Sequence, residues 1–204
     1  MINHEHEFIF VRVAKTGSTS ILETLPEGTN QREHCSEVNW EYDCNHIPLW
    51  HLKNNLDKDS YDNYFKFAFV RNPFQRAVST IKYWNNWSTG KQRGVWRRGP
   101  TFSLKDFFTD KIPKRYINPD KFFSKYGSQY DFTKGCDFIG RFENIQEDFN
   151  TICDKIGIPR QVLPHENKSK HKKHYTEYYD DETKQIITEK YAKDIEYFGY
   201  EFGE

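Results

Sequence analysis

The sequence predicts an α/β domain, with a central parallel sheet flanked by helices on both faces and a long loop region on the substrate side. Three observations carry that expectation. Short apolar runs rich in β-branched and aromatic residues occur at 7–13, 64–70 and 136–142, each leads through a turn into a segment of helical apolar spacing, and no internal repeat or low-complexity stretch interrupts them. Strands alternating with helices imply right-handed crossovers and a sheet covered on both sides.

In the first unit, "EFIFVRV" (7–13) reads as a buried strand. "STSILETL" (18–25) follows as a helix, with Ser18 or Thr19 near its N-cap and Ile21, Leu22 and Leu25 on one face. In the second, residues 64–70 form the strand and Pro73 opens a helix in which Phe74, Ala77, Val78 and Ile81 recur at helical spacing. The third strand, "CDFIGRF" (136–142), precedes a helix with Ile145, Phe149, Ile152 and Ile156 inward. A helix is expected over 47–56 and a last one over 181–195, where Ile187, Tyr191 and Ile195 form a stripe. Between the second and third strands lie roughly sixty residues with short helices at best, at "SLKDFFTD" and "PDKFFSKY". Stretches that long in a compact domain are usually functional or mobile, and this one is the candidate substrate side.

At 204 residues the chain fits one domain, 1–204, and is long enough to bury a substantial core. No apolar run approaches the roughly 20 residues that span a bilayer, and "MINHEHEFIF" lacks the basic flank and long apolar run of a signal peptide. The expectation is a cytoplasmic protein with no membrane partner. Lys plus Arg and Asp plus Glu balance at 30 each, so whole-chain charge says nothing of a polyanionic partner. Locally, residues 91–115 hold eight Lys or Arg against two acids, and "HENKSKHKK" (165–173) is also basic. That separation suits an anionic ligand met on one face; solvated loops of ordinary charge would produce it equally.

Cys35, Cys44, Cys136 and Cys153 form no C-x-x-C pair and read as free thiols. Cys35 and Cys44 have His34 and His46 beside them, but their separation lacks the close paired spacing of structural zinc sites. His165, His171 and His174 read as loop histidines. No metal is expected.

The turn "AKTGSTS" carries the chemistry. Ligands of parallel sheets bind beyond the carboxyl ends of the strands, where a helix N-terminus suits phosphate. Lys15, Thr16, Gly17, Ser18, Thr19 and Ser20 add an ammonium, a glycine permitting close backbone approach, and hydroxyl donors. A nucleoside-triphosphate loop would read G-x-x-x-x-G-K-[ST]; here the lysine precedes the only glycine, which weighs against triphosphate hydrolysis. At the second strand's end, "FVRNPFQRAVS" places Arg71 at the carboxyl terminus, and Arg76 and Ser79 three apart on one helical face. A guanidinium and a hydroxyl there could hold a second phosphate, so the ligand would bear two separated anionic groups.

"VAKTGSTS" resembles the 5′-phosphosulfate loop of sulfotransferases, and "FAFVRNPFQRAVS" resembles their 3′-phosphate motif, with Arg71 and Ser79 in matching positions. The likeness is closest to carbohydrate sulfotransferases, which share "FVRNP", "IGRFENIQEDF" and a terminal "DIEYFGYEF", and it runs from residue 8 to 202. The resemblance implies a P-loop-like α/β fold that binds 3′-phosphoadenosine 5′-phosphosulfate and passes its sulfuryl group to an acceptor hydroxyl, on a carbohydrate by this likeness. It also implies that Lys15 meets the oxygen bridging the transferring sulfur and the leaving phosphate.

A hydroxyl acceptor needs a general base. His46, just before the 47–56 helix, is similar in placement to the family's catalytic histidine; a capping or packing role is the alternative, and His51 is the other candidate base. Arg141, at the ligand end of the third strand, could steady the phosphosulfate or orient the base; an ion pair with Glu143 would explain it equally. Asn167 and Ser169 match a family loop near the cofactor, and Gln129 matches a frequent glutamine whose role is open. Trp84, Trp87, Trp96 and Tyr83 would suit a charged sugar, or would close a small core beneath the loops. Two rival functions remain: a nucleotide kinase or NTPase of related fold, and a non-catalytic polyanion binder using residues 91–115. The latter has no use for Lys15, Arg71 and Ser79 at successive strand ends, and no nucleic-acid partner is expected.

Overall fold

The computed structural model describes residues 1–29, 45–92, 95–96, 99–109, 126–164 and 173–204. The chain divides into two compact units, Met1–Arg71 with Asp120–Lys170 and Asn72–Pro119 with His171–Glu204.

The first unit is a mostly parallel sheet between helices. Its strands β1 (Ile2–Asn3), β2 (Phe8–Val11), β3 (Phe65–Val70) and β6 (Phe138–Arg141) stand in the order β1-β2-β3-β6. β2, β3 and β6 are parallel, with Phe10 opposite Phe67 and Phe69 opposite Gly140. β1 adds an antiparallel edge, Ile2 opposite Ile9. Two residues are too few for an alternation signal, and the sequence reading contains no such strand.

Because successive strand residues point to opposite faces, the apolar runs fill two cores at once. On one face Phe8, Phe10, Phe67 and Phe69 meet Ile21 of α1 (Ser18–Thr24) and Phe149, Ile152 and Ile156 of α7 (Ile145–Ile156). On the other, Ile9, Val11 and Ala68 meet Leu49 and Leu52 of α2 (Leu49–Asn55) and Phe132 of α6 (Gln129–Thr133). This is the covered parallel sheet that the alternation of strands and helices predicts. β6 presses so closely on β3 that a Cβ at Gly140 would stand 2.6 Å from the Phe69 ring.

Some expected boundaries shift. Gly17, not Ser18 or Thr19, is the N-cap of α1, and α2 starts after Pro48. A short helix α3 (Lys58–Asn63), which the sequence reading lacks, is capped by Asp57 accepting from the Ser60 N–H.

The second unit is helical, with a short hairpin. α4 (Pro73–Thr89) starts as predicted at Pro73, and the Asn72 carboxamide oxygen accepts from the N–H groups of Phe74 and Gln75. β4 (Lys91–Gln92) and β5 (Val95–Trp96) pair antiparallel, and α5 (Leu104–Phe108) forms within "SLKDFFTD" under a Ser103 cap. The proposed helix at "PDKFFSKY" lies almost wholly outside the described residues. The single helix expected over 181–195 is two, α8 (Asp181–Lys190) and α9 (Ala192–Phe198), separated at Tyr191 with φ −113° and ψ 27°. The stripe survives because Tyr191 is buried at the joint, its ring facing Phe108 and the Arg76 guanidinium. Trp84 packs edge-on to Trp87 and beside Phe107, so its ring helps close a core. No helix among the described residues is long and apolar enough to cross a membrane.

Phe67 lies at the centre of the sheet, stacked on Phe10 at 4.9 Å. Phe67→Ala should cost about 3–5 kcal/mol of unfolding free energy, read as a lower denaturant midpoint.

Candidate active site at the carboxyl ends of the strands

The candidate site grows from the places where β2, β3 and β6 stop. Beyond β2 the chain runs through Val13 and Ala14 into the turn. Lys15 takes φ +70°, a left-handed conformation that costs an L-residue about 1–2 kcal/mol, and Gly17 follows at φ +78°. Gly17 is also closely packed: a Cβ there would lie 2.5 Å from Ile145 Cδ1 and 3.2 Å from the Phe142 ring, so both side chains would have to give way. The turn is thereby seated against the segment that leaves β6. Thr16 is fully buried and its hydroxyl donates to the Val13 carbonyl at 2.9 Å, pinning the turn from within. Ser18 is buried, Thr19 and Ser20 half-buried, in the first turn of α1.

Beyond β3, Arg71 is held at both ends. Its main-chain N–H donates to Gln129 Oε1 at 2.9 Å, and Gln129 Nε2 donates to its carbonyl at 2.8 Å. Its guanidinium lies 3.9 Å from the Phe142 ring, and Nη1 donates to the Lys15 carbonyl at 3.2 Å. The arginine of one strand end thus braces the strained turn of its neighbour. Sequence reasoning singled out both cations but had no signal for this bond between them.

His46 is buried, and its Nδ1 lies 2.9 Å from the Arg12 carbonyl. A carbonyl only accepts, so Nδ1 carries the hydrogen and Nε2 the lone pair in the neutral ring. Asn45 beside it accepts from Arg12 Nη1 at 3.4 Å, strapping the pair to the end of β2. His51 lies on α2, edge-on to Trp50 and near Asn55, the helix placement expected for it. Trp50 is 52% exposed four residues beyond His46, an aromatic face absent from the sequence reading.

At the last residue of β6, the Arg141 N–H donates to Asp148 Oδ2 at 2.6 Å, and the other Asp148 oxygen accepts from Asn144. Ser79 lies half-buried in the second turn of α4, in the second unit. Asn167 and Ser169, like Cys35 and Cys44, lie outside the described residues. Cys136 and Cys153 are free thiols, and burial pushes both thiol pKa values up. Among the described residues no group of three His, Cys, Asp or Glu could hold a metal ion.

Two cations on adjacent parallel strand ends, with a buried histidine of fixed tautomer, suit transfer of an anionic group. The model of the sulfotransferase family matches residues 1–201. The chain belongs to the sulfotransferase family. Its family chemistry is sulfuryl transfer. A carbohydrate sulfotransferase 14 of Danio rerio is 21% identical over 98% of this chain, which spans 61% of that protein's length. An uncharacterized protein of Archaeoglobus fulgidus is 28% identical over 57% of this chain and 87% of its own. A sulfotransferase crystal structure from Alicyclobacillus acidocaldarius superposes with a TM-score of 0.50 over 96% of both chains at 12% identity, a likeness of fold. That fold is the P-loop-like α/β arrangement the sequence predicts.

The left-handed Lys15 yields a stability test. Asn tolerates that conformation better than lysine, so Lys15→Asn should leave the unfolding midpoint unchanged or raise stability by up to about 1 kcal/mol. Gly17→Ala should lower it by about 1–3 kcal/mol. Chemical denaturation of the two variants beside the parent checks both signs.

Proposed function

We propose that this chain transfers the sulfuryl group of 3′-phosphoadenosine 5′-phosphosulfate to an acceptor hydroxyl on a carbohydrate, as one sulfotransferase domain. The observation that carries the reading is the 3.2 Å bond from Arg71 to the Lys15 carbonyl, which joins two cationic strand ends. A donor with a 5′-phosphosulfate and a separate 3′-phosphate matches a donor set of one ammonium and one guanidinium at adjacent strand ends. Bound, it supplies an activated sulfuryl group on a phosphate leaving group.

In this reading the Lys15 turn, with Thr16, Gly17, Ser18, Thr19 and Ser20, receives the 5′ end. The resemblance assigns Arg71 and Ser79 to the 3′-phosphate and Asn167 and Ser169 to cofactor binding, with Arg141 as a further cofactor-binding candidate. Lys15 balances the negative charge that grows on the bridging oxygen as its bond to sulfur breaks, a contact that strengthens in the transition state. His46 Nε2 removes the acceptor proton as the new oxygen–sulfur bond forms. The Arg12 carbonyl holds the ring in that tautomer and steadies the imidazolium through the retained Nδ1–H. For the acceptor, support comes from the carbohydrate sulfotransferase relative and from the half-exposed Trp50, whose ring offers a sugar an apolar face.

The nucleotide-kinase alternative would use the Thr16 hydroxyl, which follows the lysine, to bind Mg²⁺. That hydroxyl instead donates to the Val13 carbonyl from a fully buried side chain.

Calorimetric titration with 3′,5′-adenosine diphosphate, without metal and beside ATP with Mg²⁺, tests the donor. Tight metal-independent binding of the former is expected, and binding of ATP with Mg²⁺ alone would replace the reading with the kinase. Arg71→Ala should weaken 3′,5′-adenosine diphosphate by about ten- to a hundredfold. His46→Ala should keep that affinity while turnover falls by about 10²–10⁴; turnover near the parent's would remove His46 as the base.

A further inference from the structure

We propose that Gln129 is a positioning residue for recognition of the donor's 3′-phosphate, acting through the main chain of Arg71; the inference rests on the donor reading above. Gln129 is completely buried, opens α6 behind a Ser128 cap, and belongs to no regular ladder. Its carboxamide meets Arg71 with both functions, Oε1 accepting from the N–H at 2.9 Å and Nε2 donating to the C=O at 2.8 Å. β3 ends at Val70, whose strand partner is Arg141. Arg71 is therefore the first residue past the ladder. The side-chain amide gives it the donor–acceptor pair that a neighbouring strand would have supplied.

The consequence falls on the side chain. Two hydrogen bonds astride one Cα restrict φ and ψ together, and φ and ψ set the direction of the Cα–Cβ bond. The guanidinium, 3.9 Å from Phe142 and bonded to the Lys15 carbonyl, is then held at its far end as well. A guanidinium immobilised before the ligand arrives loses little further freedom on binding phosphate. Gln129 is itself anchored, since its carbonyl accepts from the Thr133 hydroxyl at 2.9 Å.

A merely structural glutamine would lower stability without altering discrimination. The informative quantity is the ratio of affinities for 3′,5′-adenosine diphosphate and adenosine 5′-monophosphate, which differ by the 3′-phosphate alone. It is independent of the folded fraction. By calorimetry, Gln129→Met should reduce this ratio at least about tenfold, toward that of Arg71→Ala, and in the Arg71→Ala background should reduce it no further. If Gln129→Met does not fold, Gln129→Asn, which stays polar but falls short of Arg71, carries the same expectation. An unchanged ratio with a lowered melting temperature would overturn the positioning role and leave the donor reading intact. A parent protein indifferent to the 3′-phosphate would overturn both.

Discussion

The need to satisfy main-chain polar groups where a buried parallel ladder runs out governs this structure. Strand pairing serves the N–H and C=O groups of β2, β3 and β6, but the peptides just past the last pair lose that partner in a water-poor place. Side chains take over past the ends of β2 and β3, where His46 donates to the Arg12 carbonyl and Gln129 brackets Arg71. At β6 the last ladder residue, Arg141, is exposed, and its N–H donates to Asp148. The groups that complete the backbone are the candidate catalytic histidine and the supports of two candidate anion-binding arginines. Stability and site geometry thus draw on the same hydrogen bonds.

The second unit applies the same economy at the entry to its longest helix. Asn72 caps α4 with its oxygen and donates from Nδ2 to the Glu201 carbonyl at 2.8 Å, so one buried carboxamide ties the helix start to the chain's last residues. Phe202 lies edge-on to Phe74 and Tyr179, and the Tyr179 hydroxyl donates to the Phe74 carbonyl. Phe202 of the terminal motif therefore belongs to the packing of α4, which gives that aromatic residue a structural cause.

Much of this was readable in the sequence because it is local. Near-continuous apolar runs mark β2 and β3, Pro73 marks the start of α4, and Gly17 marks a left-handed turn, all within a few residues of the signal they produce. The remainder depends on partners far apart in the chain. His46 and Arg12 are 34 positions apart, Gln129 and Arg71 are 58, and no periodicity encodes such pairs. The split at Tyr191 escaped for a related reason, since the apolar stripe continues across the break. The left-handed backbone of Lys15 is invisible because lysine rarely adopts it, and the site holds it there through a carbonyl that the sequence does not mark as special.

That carbonyl has a consequence for the sign of the turn. Across a trans peptide the C=O and the following N–H point in opposite directions, and the described residues contain no cis bond. With the Lys15 oxygen drawn to the Arg71 guanidinium, the Thr16 N–H is directed the other way. Rotating that peptide plane by half a turn would exchange a donor for an acceptor and reverse its local dipole. The arginine of the neighbouring strand therefore acts as a polarity lock, keeping a soft backbone torsion from inverting the dipole beside the candidate phosphosulfate loop.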